Sequence, residues 1–246
     1  MSVFGEYAGL FDLLYKDRDC NAEAAYVLSL IQEFSDNATT LLDMGCGTGQ
    51  HANFLSEKGM RVTGVDRSEE IVKRANENYP SLDIRCGDMC DFEADQAFDA
   101  ITALFHVVSY LTENRELHAA IKTIRNHLNP DGVVVFDCWH GPAVLSQKPE
   151  TRVKRIEGEN HNIVRIAEPE ILAEKNRVSV KYQMFVRTDN TWDEFREVHH
   201  MRYLFPDELE NLLEANGMKI LHTEEWMTKA PPSENTWGVV YVVGRS

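Results

Sequence analysis

Short apolar runs alternate with amphipathic stretches between residues 39 and 139 of the chain, which has 246 residues in all. The apolar runs predict five β-strands, at 41–44, 61–66, 82–85, 98–105 and 133–137. The stretches of helical periodicity predict three helices, at 52–58, 69–78 and 113–128. This alternation is typical of a parallel, doubly wound sheet, whose ligand lies at the carboxyl ends of the strands.

The hydrophobic pattern changes to an alternation of period two between residues 148 and 205. Three alternating runs predict the strands of a small antiparallel sheet, at 162–166, 177–186 and 197–204. A helix at 206–216 follows, and two strands at 219–224 and 237–243 end the chain. We therefore predict an α/β fold with a doubly wound, Rossmann-like, seven-stranded sheet and an inserted small antiparallel β-sheet.

This pattern divides the chain into two units. Residues 1–147 and 206–246 form the Rossmann-like domain, and residues 148–205 form the insertion, which either caps a substrate or mediates dimerisation. The N-terminal segment 4–15 is apolar and aromatic at helical spacing. It forms either a helix packed on the core or a lid over a bound ligand.

The composition restricts the partners of the chain. Its formal charge of −15, with 25 basic and 40 acidic residues, disfavours DNA and RNA. Its five cysteines include no CxxC pair and do not have the spacing of zinc ligands. The adjacent His199 and His200 point to opposite faces of a predicted strand. We therefore expect no metal site. The odd number of cysteines and the absence of a leader pattern predict a reducing cytoplasm. No apolar run approaches the ~18 residues of a membrane span.

A glycine-rich turn follows the first predicted strand, where residues 45–49 read Gly-Cys-Gly-Thr-Gly. Such a turn lets backbone N–H groups approach a ligand closely, but dinucleotide enzymes have similar turns. Three acidic residues make the signal more specific. Asp43 can pair with a cationic amino group, and Asp66 can accept hydrogen bonds from both hydroxyls of a ribose. Asp88 is placed to accept from the exocyclic amine of adenine.

These acidic residues favour S-adenosylmethionine (SAM) over NAD as the ligand. Asp43 lies so close to the turn that it would repel a pyrophosphate. SAM has no phosphate and carries a sulfonium and an ammonium group, which a carboxylate attracts. The sequence therefore predicts a SAM site at this end of the sheet.

Four segments resemble the motifs of class I SAM-dependent methyltransferases: 43–49, 64–68, 87–89 and 129–132. The resemblance implies SAM as the cofactor and S-adenosylhomocysteine (SAH) as its product. It also implies cofactor contacts from residues of these motifs, namely Asp43, Gly45, Cys46, Gly47, Thr48, Gly49, Asp66, Arg67, Asp88 and Met89. The motifs do not specify the methyl acceptor.

Segments 11–17, 87–89 and 105–111 also resemble the sugar-nucleotide N-methyltransferases, which methylate the amino group of nucleotide-linked amino-deoxysugars. This resemblance implies that Tyr7 and Tyr15 cover the cofactor. It further implies that Phe105 and His106 lie at the methionine end of the cofactor and that Tyr110 lies beside the acceptor. The chain departs from that family at 137–142, where Asp-Cys-Trp-His-Gly-Pro stands in place of an aromatic pair.

Methyl transfer to an amine needs a neutral nitrogen held about 3 Å from the methyl group. The candidate bases are His140, His106 and Tyr15, and Tyr110 is placed with them near the reacting groups. We hypothesise that His140 is the acid–base residue, because it follows the fifth strand at the rim of the sheet. His106 is alternatively a structural histidine.

The insertion carries a set of basic residues within an acidic chain: Arg152, Lys154, Arg155, Arg165 and Arg202. They form either a solvated sheet face or a clamp for a phosphate or carboxylate of the substrate. We assign five residues to substrate binding: Tyr110, Trp139, His140, Arg152 and Arg202.

The leading hypothesis is methyl transfer from SAM to a small-molecule acceptor, most specifically to an amino-deoxysugar nucleotide. Two alternatives stay open. One is O- or N-methylation of another small metabolite, and the other is a catalytically silent SAM-binding protein. The expected partners are the small molecule and, as one option, a second copy of the chain in a homodimer.

Overall fold

The structure is a computed structural model that describes residues 14, 15, 17–158, 161–188 and 191–246. The predicted N-terminal helix lies almost wholly outside these residues, and so does Tyr7. Within the part of the chain that the structure describes, no helix is long and apolar enough to cross a membrane.

The strands are β1 Thr40–Met44, β2 Arg61–Asp66, β3 Asp83–Cys86, β4 Phe98–Ala103, β5 Leu128–His140, β6 Arg152–Glu157, β7 His161–Leu172, β8 Arg177–Thr188, β9 Thr191–Leu204, β10 Met218–Glu225 and β11 Gly238–Arg245. Seven of them form the main sheet, in the order β3-β2-β1-β4-β5-β11-β10. The pairs from β3 to β5 are parallel, whereas β11 is antiparallel to both β5 and β10. The predicted Rossmann-like sheet is confirmed.

The helices are α1 Cys20–Phe34, α2 Gln50–Glu57, α3 Glu69–Asn78, α4 Asn114–His127, α5 Gly141–Gln147 and α6 Pro206–Glu214, with 3-10 helices at Val107–Tyr110 and Ala173–Lys175. Local sequence explains where two of them begin. The Ser68 side chain accepts from the N–H of Ile71 at the start of α3. Glu113 and Glu116 form a reciprocal capping box at the start of α4.

The fourth and fifth strands differ from their predicted bounds. β4 ends at Ala103, because Phe105 and His106 have φ angles of 64° and 61°, in a left-handed region that a strand does not enter. β5 is longer than predicted and runs to His140. Gly141 and Pro142, which come next, begin α5, with the proline in the first helical turn.

The predicted insertion folds as an antiparallel sheet of four strands, in the order β9-β8-β7-β6. β6 was not predicted, because its sequence is mostly charged and Ile156 is its one buried residue. The inserted sheet joins the main sheet through two residue pairs between β5 and β9, Trp139 with Tyr203 and His140 with Leu204.

One side of the inserted sheet packs against the segment before α1. Leu14 is fully buried among Ile156, Ile163, Met184 and Val186. Burial of a leucine side chain contributes about 1.5–3 kcal/mol. This contact holds Leu14 and the residue after it against the face of the sheet that turns toward the main domain.

Candidate active site

A cleft opens at the carboxyl ends of β1, β2 and β4. Its empty volume is about 1360 Å³, including the part that is open to solvent. Its lining joins the ends of these strands to Tyr15 and Arg18, which precede α1.

The glycine-rich turn between β1 and α2 forms the floor of the cleft. The backbone N–H groups of Gly45 and Cys46 donate to the carbonyl oxygen of Val65, at 2.7 and 3.0 Å, and tie the turn to β2. Gly47 has a φ of 56°, and a Cβ placed on it would meet no atom within 4 Å. The space beside its backbone is therefore open, and a ligand can approach the backbone closely there.

One buried and one half-buried carboxyl group, those of Asp43 and Asp66, stand beside this turn. Asp43 is 2% exposed, and the Thr102 hydroxyl donates to its Oδ1 at 2.8 Å. Asp66 accepts from the backbone N–H groups of Gly47 and Ser68, at 3.1 and 3.0 Å. Burial raises the pKa of both carboxyl groups. A ligand that brings a cation or hydroxyl donors to these oxygens offsets the cost of their burial.

The third predicted acid lies farther along the same wall. Asp88 and Met89 line the cleft, and Asp88 Oδ1 accepts from the N–H of Cys90 at 2.9 Å. The carboxylates therefore run along the cleft from β1 past β2 to the end of β3. This order fits the ammonium, ribose and adenine groups of SAM, and the open space at Gly47 fits a ligand that passes over the turn.

A charged cluster that the sequence pattern did not predict lies at the opposite end of the cleft. Arg18 and His51 both contact the carboxylate of Glu23, and His51 Nε2 lies 2.9 Å from it. The Arg18 guanidinium also covers the Phe105 ring, at 3.7 Å from its centroid. Arg18 and His51 line the cleft. Burial alone would raise the pKa of Glu23, but the hydrogen bonds from His51 and Arg18 outweigh it and lower that pKa to about 2.

We expect Glu23→Gln to lower the free energy of unfolding at pH 7 by about 2 kcal/mol. The folded pKa of Glu23 lies below the ordinary value of 4.5. Its carboxylate therefore stabilises the fold above pH 4.5, and this contribution is lost as the pH falls toward 2. Urea denaturation at pH 7 and at pH 3.5 should show a smaller difference between the two proteins at pH 3.5. Glu33→Gln, at an exposed position of the same helix, is the matched control.

Aromatic side chains line the side of the cleft that faces the insertion. Tyr15 packs edge-on against Phe105, with ring centroids 5.1 Å apart, and both line the cleft. Arg165, on β7, donates to the Tyr15 hydroxyl at 3.2 Å and lies between the rings of Tyr15 and Tyr182. Tyr110, from the 3-10 helix after β4, also lines the cleft.

Most of the predicted cofactor residues come together here. Those that line the cleft are Tyr15, Asp43, Gly45, Cys46, Gly47, Thr48, Asp66, Arg67, Asp88, Met89 and Phe105, with Tyr110 of the predicted acceptor side. Two predicted cofactor residues, Gly49 and His106, lie outside the lining, and so do four predicted substrate-binding residues: Trp139, His140, Arg152 and Arg202. Gly49 is the N-cap of α2, with a φ of 85°.

His140 ends β5, at the carboxyl edge of the sheet, but it does not line the cleft. It is 5% exposed, and its Nδ1 lies 3.2 Å from the carbonyl oxygen of Thr236. Burial lowers the pKa of His140 and so favours the neutral ring. A neutral histidine that contacts the backbone of a neighbouring loop fits a structural role. We therefore do not include His140 in the proposed site.

His106 lies just behind the cleft wall. Its Nδ1 is 2.6 Å from Oδ2 of the buried Asp137, and its ring stacks on Phe105. The edge of the His106 ring also meets Trp139, with centroids 6.2 Å apart. The alternative of a structural histidine fits this geometry, because the Asp137 carboxylate contacts the ring of His106 and also accepts from its backbone N–H.

The two arginines assigned to substrate binding have different surroundings. Arg202 is 6% exposed, donates to Asn114 at 2.7 Å and pairs with Glu208. Its guanidinium is thus engaged inside the protein. Arg152 is exposed and lies in one cross-strand row with Tyr182 and Glu197, on the face of the insertion that turns toward the cleft.

A second cluster that the sequence pattern did not predict lies behind Tyr110. The Tyr110 hydroxyl is 2.9 Å from His199 Nδ1, and His199 Nε2 is 3.0 Å from Glu197 Oε2. Tyr110 and His199 are 89 positions apart, so no local pattern pairs them. The period-two alternation does place Glu197 and His199 on one face of β9.

The fold and the cleft together define the class of the protein. The sheet is doubly wound and has an antiparallel seventh strand, β11. At the carboxyl ends of its strands lie a glycine-rich turn with an accessible backbone and three carboxylates in an order that fits SAM. Residues 41–132 match the family model described as a methyltransferase domain. The chain is a class I SAM-dependent methyltransferase.

Its relatives include sugar methyltransferases. The chain is 29% identical over 218 residues to dTDP-3-amino-3,6-dideoxy-alpha-D-glucopyranose N,N-dimethyltransferase of Streptomyces fradiae, covering 88% of this chain and 85% of the relative. The crystal structure of Streptomyces venezuelae DesVI is 24% identical, with a TM-score of 0.85 over 98% of both chains. The sugar N-methyltransferase KedS8 from Streptoalloteichus sp ATCC 53650 is 25% identical, with a TM-score of 0.82 over 96% of this chain and 93% of KedS8.

Proposed function

We propose that this methyltransferase transfers the methyl group of SAM to the amino group of a nucleotide-linked amino-deoxysugar. One observation carries the proposal: the cleft has a SAM-type site on one side and tyrosine side chains on the other. The inserted sheet packs against these tyrosines. The relative from Streptomyces fradiae, whose name specifies such a substrate, aligns over 88% of this chain.

Four charged residues would hold the cofactor. Asp43 meets the ammonium group, Asp66 meets the ribose hydroxyls and Asp88 meets the adenine amine. Arg18, at the end of the cleft near Phe105, is the cation that the carboxylate of SAM requires. When bound, SAM supplies an electrophilic methyl carbon on a sulfonium.

The acceptor would lie on the tyrosine side. Tyr15 and Tyr110 are uncharged oxygen donors and acceptors that suit a sugar ring and its amine. Arg165 and the exposed Arg152 lie on the same face of the insertion, where they can attract the diphosphate of a nucleotide. We infer that residues 148–205 act as a substrate cap.

We expect purified protein to methylate dTDP-3-amino-3,6-dideoxy-α-D-glucopyranose in the presence of SAM. Mass spectrometry of the product counts the methyl groups added to each sugar. The matched control is dTDP-glucose, which offers hydroxyl groups and no amine. Methylation of dTDP-glucose at the same rate would favour the O-methyltransferase alternative. SAM binding without turnover of either compound would contradict the proposal and favour the two alternatives, another small metabolite as acceptor or a silent SAM-binding protein.

We further propose a homodimer in the cytoplasm. Val153, Trp192 and Val198 are exposed and lie on the outer face of the insertion, where a second copy can cover them. All five cysteines are free thiols, which suits a reducing compartment. Sedimentation of the wild-type protein and of Trp192→Ser tests the assembly: a monomeric wild-type protein would contradict it.

A further inference from the structure

The cluster behind Tyr110 is a chain of three polar groups that leads from the cleft into the insertion. Its first link joins the Tyr110 hydroxyl to His199 Nδ1 at 2.9 Å, and its second joins His199 Nε2 to Glu197 Oε2 at 3.0 Å. The His199 side chain is 4% exposed and that of Glu197 is 13% exposed. Tyr182 packs its ring against His199, with centroids 4.8 Å apart, and fixes the plane of the imidazole.

The chemistry of these groups assigns the protons along the chain. A carboxylate only accepts hydrogen bonds, so Nε2 of a neutral His199 carries the hydrogen that points to Glu197. Nδ1 is then an acceptor, and the Tyr110 hydroxyl donates to it. The Tyr110 oxygen, which donates in this direction, can accept a hydrogen bond through a lone pair.

We propose that Glu197 and His199 are positioning residues that make Tyr110 the proton acceptor for the amine of the substrate. The proposal rests on the proposed function, because it requires an acceptor that enters the cleft as an ammonium ion. An ammonium nitrogen has no lone pair and cannot attack the methyl carbon.

The step moves one proton from the substrate to Tyr110 and another from Tyr110 to His199. One proton leaves the substrate ammonium and bonds to the Tyr110 oxygen, while the Tyr110 hydroxyl proton moves to His199 Nδ1. The neutral amine forms the new N–C bond, and the electron pair of the broken C–S bond stays on sulfur. His199 becomes an imidazolium beside the Glu197 carboxylate and later returns its proton to solvent.

The surroundings of Tyr110 explain why a partner is needed. Burial raises the pKa of the Tyr110 hydroxyl well above its usual value of 10. A free tyrosinate is therefore not formed near neutral pH. The Tyr110 oxygen can take up a proton from the substrate only as its own hydroxyl proton leaves for His199. Among the described residues, charged groups that act on Tyr110 are Arg67 and Glu197, and Arg165 acts on Tyr182. The hydroxyls of Tyr15 and Tyr182 also interact electrostatically with that of Tyr110.

The first test needs no acceptor. Nitrogen-15 NMR of the histidine side chains should show His199 with a protonated Nε2 and an unprotonated Nδ1 at pH 7.5. The signal is assigned by its loss in His199→Asn. Glu197→Gln, whose amide can donate to Nε2, should shift the population toward the opposite tautomer. A wild-type His199 protonated at Nδ1 would overturn the proposal whatever the substrate is.

The second test is kinetic, with dTDP-3-amino-3,6-dideoxy-α-D-glucopyranose as the acceptor. His199→Asn keeps a polar group near the Nδ1 position but cannot take a proton. We expect its kcat at pH 7 to fall about 100-fold, with the KM of the acceptor within about threefold of wild type. The deficit should shrink by pH 9, where solvent removes the ammonium proton. Tyr110→Phe should show the same pattern.

His200→Asn is the matched control, because His200 is the next residue on β9 but is exposed on the opposite face. It should retain the wild-type rate at both pH values. Equal kcat in His199→Asn and His200→Asn, in an enzyme that does methylate the amine, would overturn the relay and leave the proposed function intact. Failure of the wild-type protein to methylate the amine would refute the proposed function, and with it the role of Tyr110 toward an ammonium substrate.

Discussion

Replacement of Asp66 by alanine is expected to weaken the binding of both SAM and SAH about 100-fold. Asp66 supplies two carboxylate oxygens at the end of β2, where each ribose hydroxyl would gain a charge-assisted hydrogen bond of about 1.5–3 kcal/mol. The same carboxylate accepts from the N–H of Gly47, so its loss also loosens the turn under the ligand. Isothermal titration calorimetry with SAM, SAH and NAD measures the effect directly.

Two further variants separate recognition from folding in this experiment. Asp66→Asn retains an acceptor for the backbone of Gly47, and it should bind SAM more weakly than wild type with little loss of thermal stability. Asp83→Ala removes a half-exposed carboxylate of β3 that pairs with Arg85, and it should leave SAM affinity unchanged. Full SAM affinity in folded Asp66→Ala, or binding of NAD in place of SAM, would contradict the cofactor site.

Gly45→Ala should be the most destabilising substitution in the glycine turn, at about 3 kcal/mol. Gly45 has a φ of 75°, which costs an alanine about 1–2 kcal/mol. A Cβ at this position would also lie 2.6 Å from both Cγ atoms of Val107, and such overpacking costs about 1–3 kcal/mol. Because Val107 begins the 3-10 helix that carries Tyr110, the displaced side chain should lower the methyl-transfer rate as well.

Gly59→Ala is the control for backbone strain alone. Gly59 has a φ of 97°, and no atom lies within 4 Å of the position that a Cβ would occupy, so only about 1 kcal/mol should be lost. Urea denaturation compares the variants. The double variant Gly45→Ala, Val107→Ala should recover part of the stability, and no recovery would show that the clash with Val107 is not the cause.

The seven-stranded sheet and the cofactor end of the cleft were predictable because their signals are local. Apolar β-branched runs mark the parallel strands, and the turn between β1 and α2 carries its glycines and Asp43 within a few residues of each other. Each acid that follows a strand also has its position fixed by topology, since parallel strands end at one edge of the sheet. The family model covers this same region, at residues 41–132.

The acceptor side was harder to predict because its contacts join distant segments. His140 lies at the carboxyl end of β5, near its expected position, but the loop at residue 236 returns onto its ring and encloses it. On the cofactor side, Arg18 precedes α1, and its contacts with Glu23, His51 and Phe105 hold it at the cleft. Phe105 is a strand-forming residue in isolation, yet tertiary packing holds it at a positive φ. These outcomes depend on folding partners that no periodicity reveals.

The narrow junction between β5 and β9 has a consequence for how such enzymes diversify. Two residue pairs of the ladder join the insertion to the main sheet. A new insertion has to match this short stretch of backbone and the side chains that contact Leu14, Tyr110 and Asn114, while the residues of the glycine-rich turn are left unchanged. A chimaera built at this junction, with residues 148–205 exchanged for those of a relative, offers a direct route to enzymes that keep one methyl donor and accept different sugars.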